Sequence, residues 1–237
     1  MKFTAMFGAV VLIAAMAWAD MTVVQEVESS LTSDKPTAIT MTMLIKGQKA
    51  IIDFKPEPRS SLIDLQAGKI YLIDHTSKQV MIMSLDQMKL AMEMASKAMT
   101  AKKGQMSIQK TENIKTIKGF KCREYTLGSG GTQASCWMAE DVDAREIEPF
   151  RMFAMDVAKM FGQETLAQMK GMMIAMDSTM TLQGKKVKNR MAVQSVSREA
   201  IADSVFTVPS DYKSLEMPTM PLSKSAAPIK PGVPKGK

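Results

Sequence analysis

Apolar and polar residues alternate with a period of two through much of the first half of the chain. Met21 to Ser29 alternates around Val23, Gln25 and Val27. Thr37 to Ile45 sets Thr against Met through Thr40-Met41-Thr42-Met43. Such alternation sends successive side chains to opposite sides of a pleated strand, so both segments read as strands. Lys46-Gly47-Gln48 turns the chain into Lys49 to Phe54, which Pro56 and Pro58 end. Ser61 to Leu65, Lys69 to Asp74 and Gln79 to Met83 follow, separated by Ala67-Gly68 and Thr76-Ser77-Lys78. Turn signals at this regular spacing predict an antiparallel meander.

The period then changes. Met88, Ala91, Met92, Ala95 and Met99 share one face at helical spacing, with Ser84 or Asp86 as cap and Lys102-Lys103-Gly104 as stop. Residues 107–118 read as extended. Phe120 to Leu127 and Gln133 to Met138 flank Gly128-Ser129-Gly130-Gly131, a hairpin signal. A second helical block covers 145–170, with Phe150, Phe153, Ala154, Val157 and Phe161 on one stripe. Gly162 interrupts it, and Leu166, Met169 and Met173 continue. Met172 to Leu182 and Lys186 to Arg198 pair through Gln183-Gly184, and Ala202 to Phe206 forms a last short segment before Val208-Pro209. The expected class is α+β, an antiparallel sheet with two helical blocks.

Both ends differ from this body. Residues 1–19 read as a secretory signal peptide: Lys2, an uncharged apolar run from Phe3 to Ala15, and Ala17-Trp18-Ala19 as a small-x-small cleavage site. The mature chain then starts at Asp20, and the rival reading is an uncleaved N-terminal anchor. No later apolar run is long enough to span a bilayer, so a soluble periplasmic protein is expected. Residues 20–216 form one domain. Residues 217–237 hold five of the ten prolines and no aromatic, and are expected to be a disordered Pro/Lys-rich tail.

Charge narrows the partners. The chain carries +7. Without Lys2 the balance is 30 Lys+Arg against 24 Asp+Glu, and Lys224, Lys230, Lys235 and Lys237 supply +4 of that excess with no acid after Glu216. The remainder is too weakly basic, and too poor in aromatic stacking platforms, for nucleic acid. An envelope partner for the basic tail stays open.

Cys122 and Cys136 are equidistant from Ser129, so a hairpin centred there sets them opposite each other within disulfide reach. In an exported chain a structural disulfide is the favoured reading, and a redox pair the alternative.

Methionine is the outlier, with 22 residues against 10 aromatics beyond residue 19. Met41/Met43 and Met81/Met83 each share one strand face, and Met88, Met92 and Met99 share a helix face. With Phe153 and Val157 these side chains are the candidates to line an apolar cavity, because unbranched thioethers repack around guests of different shape. Plain core filling is one alternative. A Cu(I) buffer is another, since thioether sulfur is soft, with Met92/Met94 and Met217-Pro-Thr-Met220 as further pairs. No G-x-S-x-G, H-E-x-x-H, Walker or G-x-G-x-x-G pattern occurs, and the single histidine, His75, sits in a turn. The chain is therefore read as a non-enzyme without cofactor or metal.

Thr42 to Lys49, Ile63-Asp64-Leu65, Lys69 to Asp74, Lys118 to Tyr125, Trp137 and Phe206-Thr207-Val208-Pro209 with Tyr212-Lys213 recur in that order. In them the chain resembles a family of exported bacterial domains of unknown function related to the lipoprotein carriers LolA and LolB. The resemblance implies a curved antiparallel half-barrel with the helical blocks against its concave face. It also implies a carrier for an apolar ligand, an acyl chain or a lipidated protein. A non-catalytic structural or interaction domain of the envelope is the alternative.

Overall fold

The computed structural model describes residues 20–30, 37–99, 107–129, 132–142, 147–160, 169–182 and 185–216. The expected signal peptide (1–19) and the expected tail (217–237) lie outside them. The body is one open, curved sheet of twelve strands. On one side of β1 (Met21–Ser29) the chain steps outward through β2 (Thr37–Lys46), β3 (Lys49–Lys55), β4 (Arg59–Asp64), β5 (Lys69–Asp74) and β6 (Gln79–Ser84). On the other side lie, in order, β11 (Lys185–Ser197), β10 (Met172–Leu182), β9 (Thr132–Ala139), β8 (Phe120–Ser129) and β7 (Ser107–Ile117). Two meanders thus share one sheet, joined where β1 pairs β11 antiparallel. The connection carrying α1 (Leu85–Met99) takes the chain from β6 to the far edge at β7, and α2 (Glu148–Met160) interrupts the pair β9–β10.

The turns in the first meander follow from backbone freedom. Gly47 and Gly68 take positive φ at the β2–β3 and β4–β5 turns. Lys78 takes φ 51° at the β5–β6 turn, where its carbonyl accepts the Lys213 N–H and its ammonium pairs Asp211 at 2.8 Å. Ser84 and Gln87 form a reciprocal capping box at the start of α1: Gln87 N–H donates to Ser84 Oγ at 3.0 Å, and Ser84 N–H to Gln87 Oε1 at 2.8 Å.

Register divides the side chains between two faces. On one, Val23 stands opposite Met43 and Met21 opposite Ile45, with Met138, Met173 and Met191 on the same side farther along; Ile147 and Phe150 at the start of α2 cover it. This is the helix face. On the other, Ile51, Leu62, Ile73 and Val80 are buried under Ile201 and Phe206. Those two belong to the crossover segment 198–212, which leads to β12 (Lys213–Glu216), parallel to β6 at the outer edge. Lys46 pins its start: the ammonium donates to the Ile201 carbonyl at 2.7 Å and pairs Asp203 at 2.9 Å, while Ile201 N–H donates to Asp20.

Three expectations change. Two helical blocks layered on the sheet are not found among the described residues. Strands dominate the described residues, the start of α2 is what packs on the helix face, and the second helix is Glu148–Met160. Residues 161–168 lie outside the described part, and β10 begins at Met172, behind Gly171. The segment Ala202 to Phe206 contains a 3-10 turn, Asp203–Phe206, that buries Phe206.

The cysteine pairing also fails. The β8–β9 register sets Tyr125 opposite Cys136 and Arg123 opposite Met138, three positions out of step with a hairpin centred on Ser129. Cys136 thus lies three positions from the one opposite Cys122, an odd number, so its side chain takes the other face. Both cysteines are free and buried, and they belong to two separate core clusters.

Candidate functional site

A cleft of about 380 Å³ opens between the helix face and the first turn of α2. Its floor comes from β1, β2 and β11 as Val23, Met43, Ile45, Met191 and Val193. One wall is Met138 of β9 with Met169, Met172 and Met173, and Ile147, Phe150 and Arg151 close it from above. Six of the lining side chains are methionine. The volume falls within the range of about 300–1,000 Å³ typical of small-ligand pockets.

Two breaks in strand register help shape it. The β1–β11 pairing shifts between Val24 and Gln25, and β9–β10 shifts between Met173 and Ala175. Each shift bends its strand and re-aims the neighbouring side chains. Met172 and Met173, adjacent in sequence, consequently both reach the cleft.

The polar groups here are few. The Gln25 amide donates to the Met41 sulfur at 3.7 Å. Glu148 and Arg151 form a two-pronged pair, Nε to Oε2 and Nη2 to Oε1, both 2.6 Å. Those bonds hold the Glu148 carboxyl below the usual carboxylate range and raise Arg151 above its own. The cleft thus has apolar walls and a paired charge at α2.

Of the candidate residues, Met43 lines this cleft, and Met41 lies on the same face with its sulfur engaged by Gln25. Met81 and Met83 occupy the helix face near its outer edge, Met81 beside Leu72 in a separate groove. Met88 and Phe153 are half-buried on their helices and outside the lining. The side chains of Met92, Met99 and Val157 lie outside the described part. The cleft instead collects Met138, Met169, Met172, Met173 and Met191.

Other chemically capable groups are occupied structurally. Burial pushes the Cys136 thiol up to about 11 and raises Cys122, so neither is a ready nucleophile. Buried Ser60 donates to Asp53 Oδ1 at 2.5 Å and lies 2.7 Å from His75 Nε2. Its single proton is committed to the carboxylate, so Nε2 must donate to Oγ, the reverse of a base activating a nucleophile. His75 Nδ1 meets the Tyr212 hydroxyl at 2.9 Å. Among the described residues no three His, Cys, Asp or Glu side chains gather as metal ligands, and no helix is long and apolar enough to cross a membrane.

A family model described as Domain of unknown function (DUF4412) matches residues 24–212. No curated protein matches the chain. Among solved structures it is similar to an uncharacterized conserved protein from Thermus thermophilus, at 8% identity and TM-score 0.48, over 84% of this chain and 91% of that one. A LolA superfamily protein from Nitrosomonas europaea is similar at 9% identity and TM-score 0.34, over 80% and 90%. PNGF-II is similar at 10% identity and TM-score 0.43 over 84% of this chain, which spans only 31% of PNGF-II.

Proposed function

The chain belongs to the DUF4412 family, and we propose that this member is an exported, non-catalytic binding or carrier domain. Its ligand is apolar, an acyl chain or the lipid part of a lipidated protein, held between the helix face and α2. The observation that supports this reading is the cleft itself: six thioether side chains around about 380 Å³, capped by Phe150. Thioethers hold apolar surface without a fixed shape, so the lining adapts to chains of varied length and unsaturation. Binding removes hydrocarbon from water and yields about 25 cal/mol for each Å² buried. In the cell the working place of such a domain is the periplasm, where acyl chains must cross water between membranes.

The test is titration of the purified protein with a fluorescent polyunsaturated fatty acid, with native mass spectrometry for co-purified lipid. Saturable binding is expected. Met43→Trp and Met173→Trp, which fill the cleft from its floor and from its wall, should each weaken it at least tenfold with an unchanged circular dichroism spectrum. No saturable binding by the parent protein, or equal binding by both folded variants, overturns the reading.

A further inference from the structure

The outer edge of the sheet carries a second apolar feature, independent of the cleft. Leu72 of β5 stands opposite Met81 of β6, and Met81 opposite Leu215 of β12. The three form one row across the last three strands of the helix face. All are open to solvent, at 40%, 38% and 38% of their full exposure, beside a groove of about 520 Å³. Large apolar side chains in register at a sheet edge invite contact with another surface.

The charge around the row is largely cancelled. Arg59 pairs Glu57 at 3.5 Å and Lys78 pairs Asp211. The Asp74 carboxylate is occupied by the Thr76 and Ser77 N–H groups. The uncompensated charge follows immediately in sequence. Beyond Glu216 come Lys224, Lys230, Lys235 and Lys237 with no Asp or Glu. Leu215 and Lys224 are nine residues apart, at most about 32 Å of extended chain, so these cations are tethered to the row.

We propose that this edge seats on an anionic lipid surface. Leu72, Met81 and Leu215 enter the headgroup boundary, and the four lysines after β12 are drawn to the negative surface around them. Each element alone is weak. A three-residue apolar row gives little insertion, and a basic segment is screened within about a Debye length, roughly 8–10 Å. Two signals on one edge act together, as paired signals do in peripheral anchoring. The row and the cleft use different residues, so each can fail without the other.

The test is co-sedimentation of the purified full chain with sucrose-loaded vesicles, either neutral phosphatidylcholine or phosphatidylcholine mixed with phosphatidylglycerol. Preferential binding to the mixed vesicles, lost at high salt, is expected. Stopping the chain after Glu216 should weaken it by at least about tenfold. Leu72→Ser with Met81→Ser should weaken it severalfold, whereas Leu72→Trp, which keeps the row apolar, should preserve it. Equal binding to neutral vesicles, undiminished binding by the shortened chain, or undiminished binding by the double serine variant overturns the proposal. So does retention on soluble polyphosphate with no preference for anionic vesicles, which would point to a polyanion instead.

Discussion

His75 Nδ1 and the Tyr212 hydroxyl lie 2.9 Å apart although 137 positions separate them. The contact ties the crossover segment to the β5–β6 turn, beside the Lys78–Asp211 pair and just ahead of β12. With Ser60 donating to Asp53 and Nε2 donating to Ser60, the tautomer that carries its proton on Nε2 leaves Nδ1 to accept from Tyr212. Tyr212→Phe removes that bond and keeps the ring. A loss of about 1 kcal/mol is expected in urea unfolding, with faster amide exchange at Lys213–Glu216 than at β1.

Cys122 and Cys136 predict a chemical outcome opposite to a disulfide. Both thiols should resist a colorimetric thiol reagent in the native protein and react fully once it is unfolded. Reducing agent should leave the melting temperature unchanged. Burial raises Cys136 from an ordinary value near 9 to about 11. A raised folded value means that the unfolded chain releases its proton first. The contribution is therefore complete below pH 9 and falls away between about pH 9 and 11, by at most about 2–3 kcal/mol. Unfolding of Cys136→Ala should lack that part of the alkaline slope.

The first meander was legible because its alternation is strict and its turns carry Gly47, Gly68 and a polar Thr-Ser-Lys run, so β1 to β6 appear near their observed bounds. β12 was not legible: Lys-Ser-Leu-Glu has no pattern of its own and becomes a strand by lying parallel to Gln79–Ile82. The cysteine pairing depended on the centre of one hairpin, and a shift in pairing of three residues reversed the face. The cleft was only partly legible for a related reason. Met43 follows from alternation in β2, but Met172 and Met173 reach one cavity only because β10 changes register beside them. Met138 and Met191 arrive from strands whose adjacency to that cavity is set by topology.

Glu140 gathers three charged or polar partners at the second meander. Burial opposes its ionisation, yet the Lys110 ammonium at 2.6 Å, the Tyr125 hydroxyl at 2.5 Å and the Arg123 guanidinium at 3.3 Å hold its carboxyl below the ordinary range. A lowered carboxylate stabilises the fold above its unfolded value, near 4.5, and that stability is lost as pH falls through the lower folded value. Glu140→Gln keeps the shape but removes the charge-assisted bonds. It should cost about 1–3 kcal/mol near neutrality. The difference from the parent should shrink in acid, as measured by unfolding at a series of pH values.

Gly171 links stability to the proposed binding. It takes φ +83° between Met169 and β10, and a Cβ built there collides with the backbone of Ala139 and Glu140. Neither backbone can yield without disturbing the pairing of Met172 with Ala139. Gly171→Ala therefore combines a strained φ with a backbone clash, and a loss of at least about 1–3 kcal/mol is expected. The strain falls on Met169, Met172 and Met173, one wall of the cleft. Where the variant still folds, fatty-acid probe affinity should drop more than in Tyr212→Phe, whose change lies away from the cleft. Equal affinity in the two variants would mean that this wall does not hold the ligand.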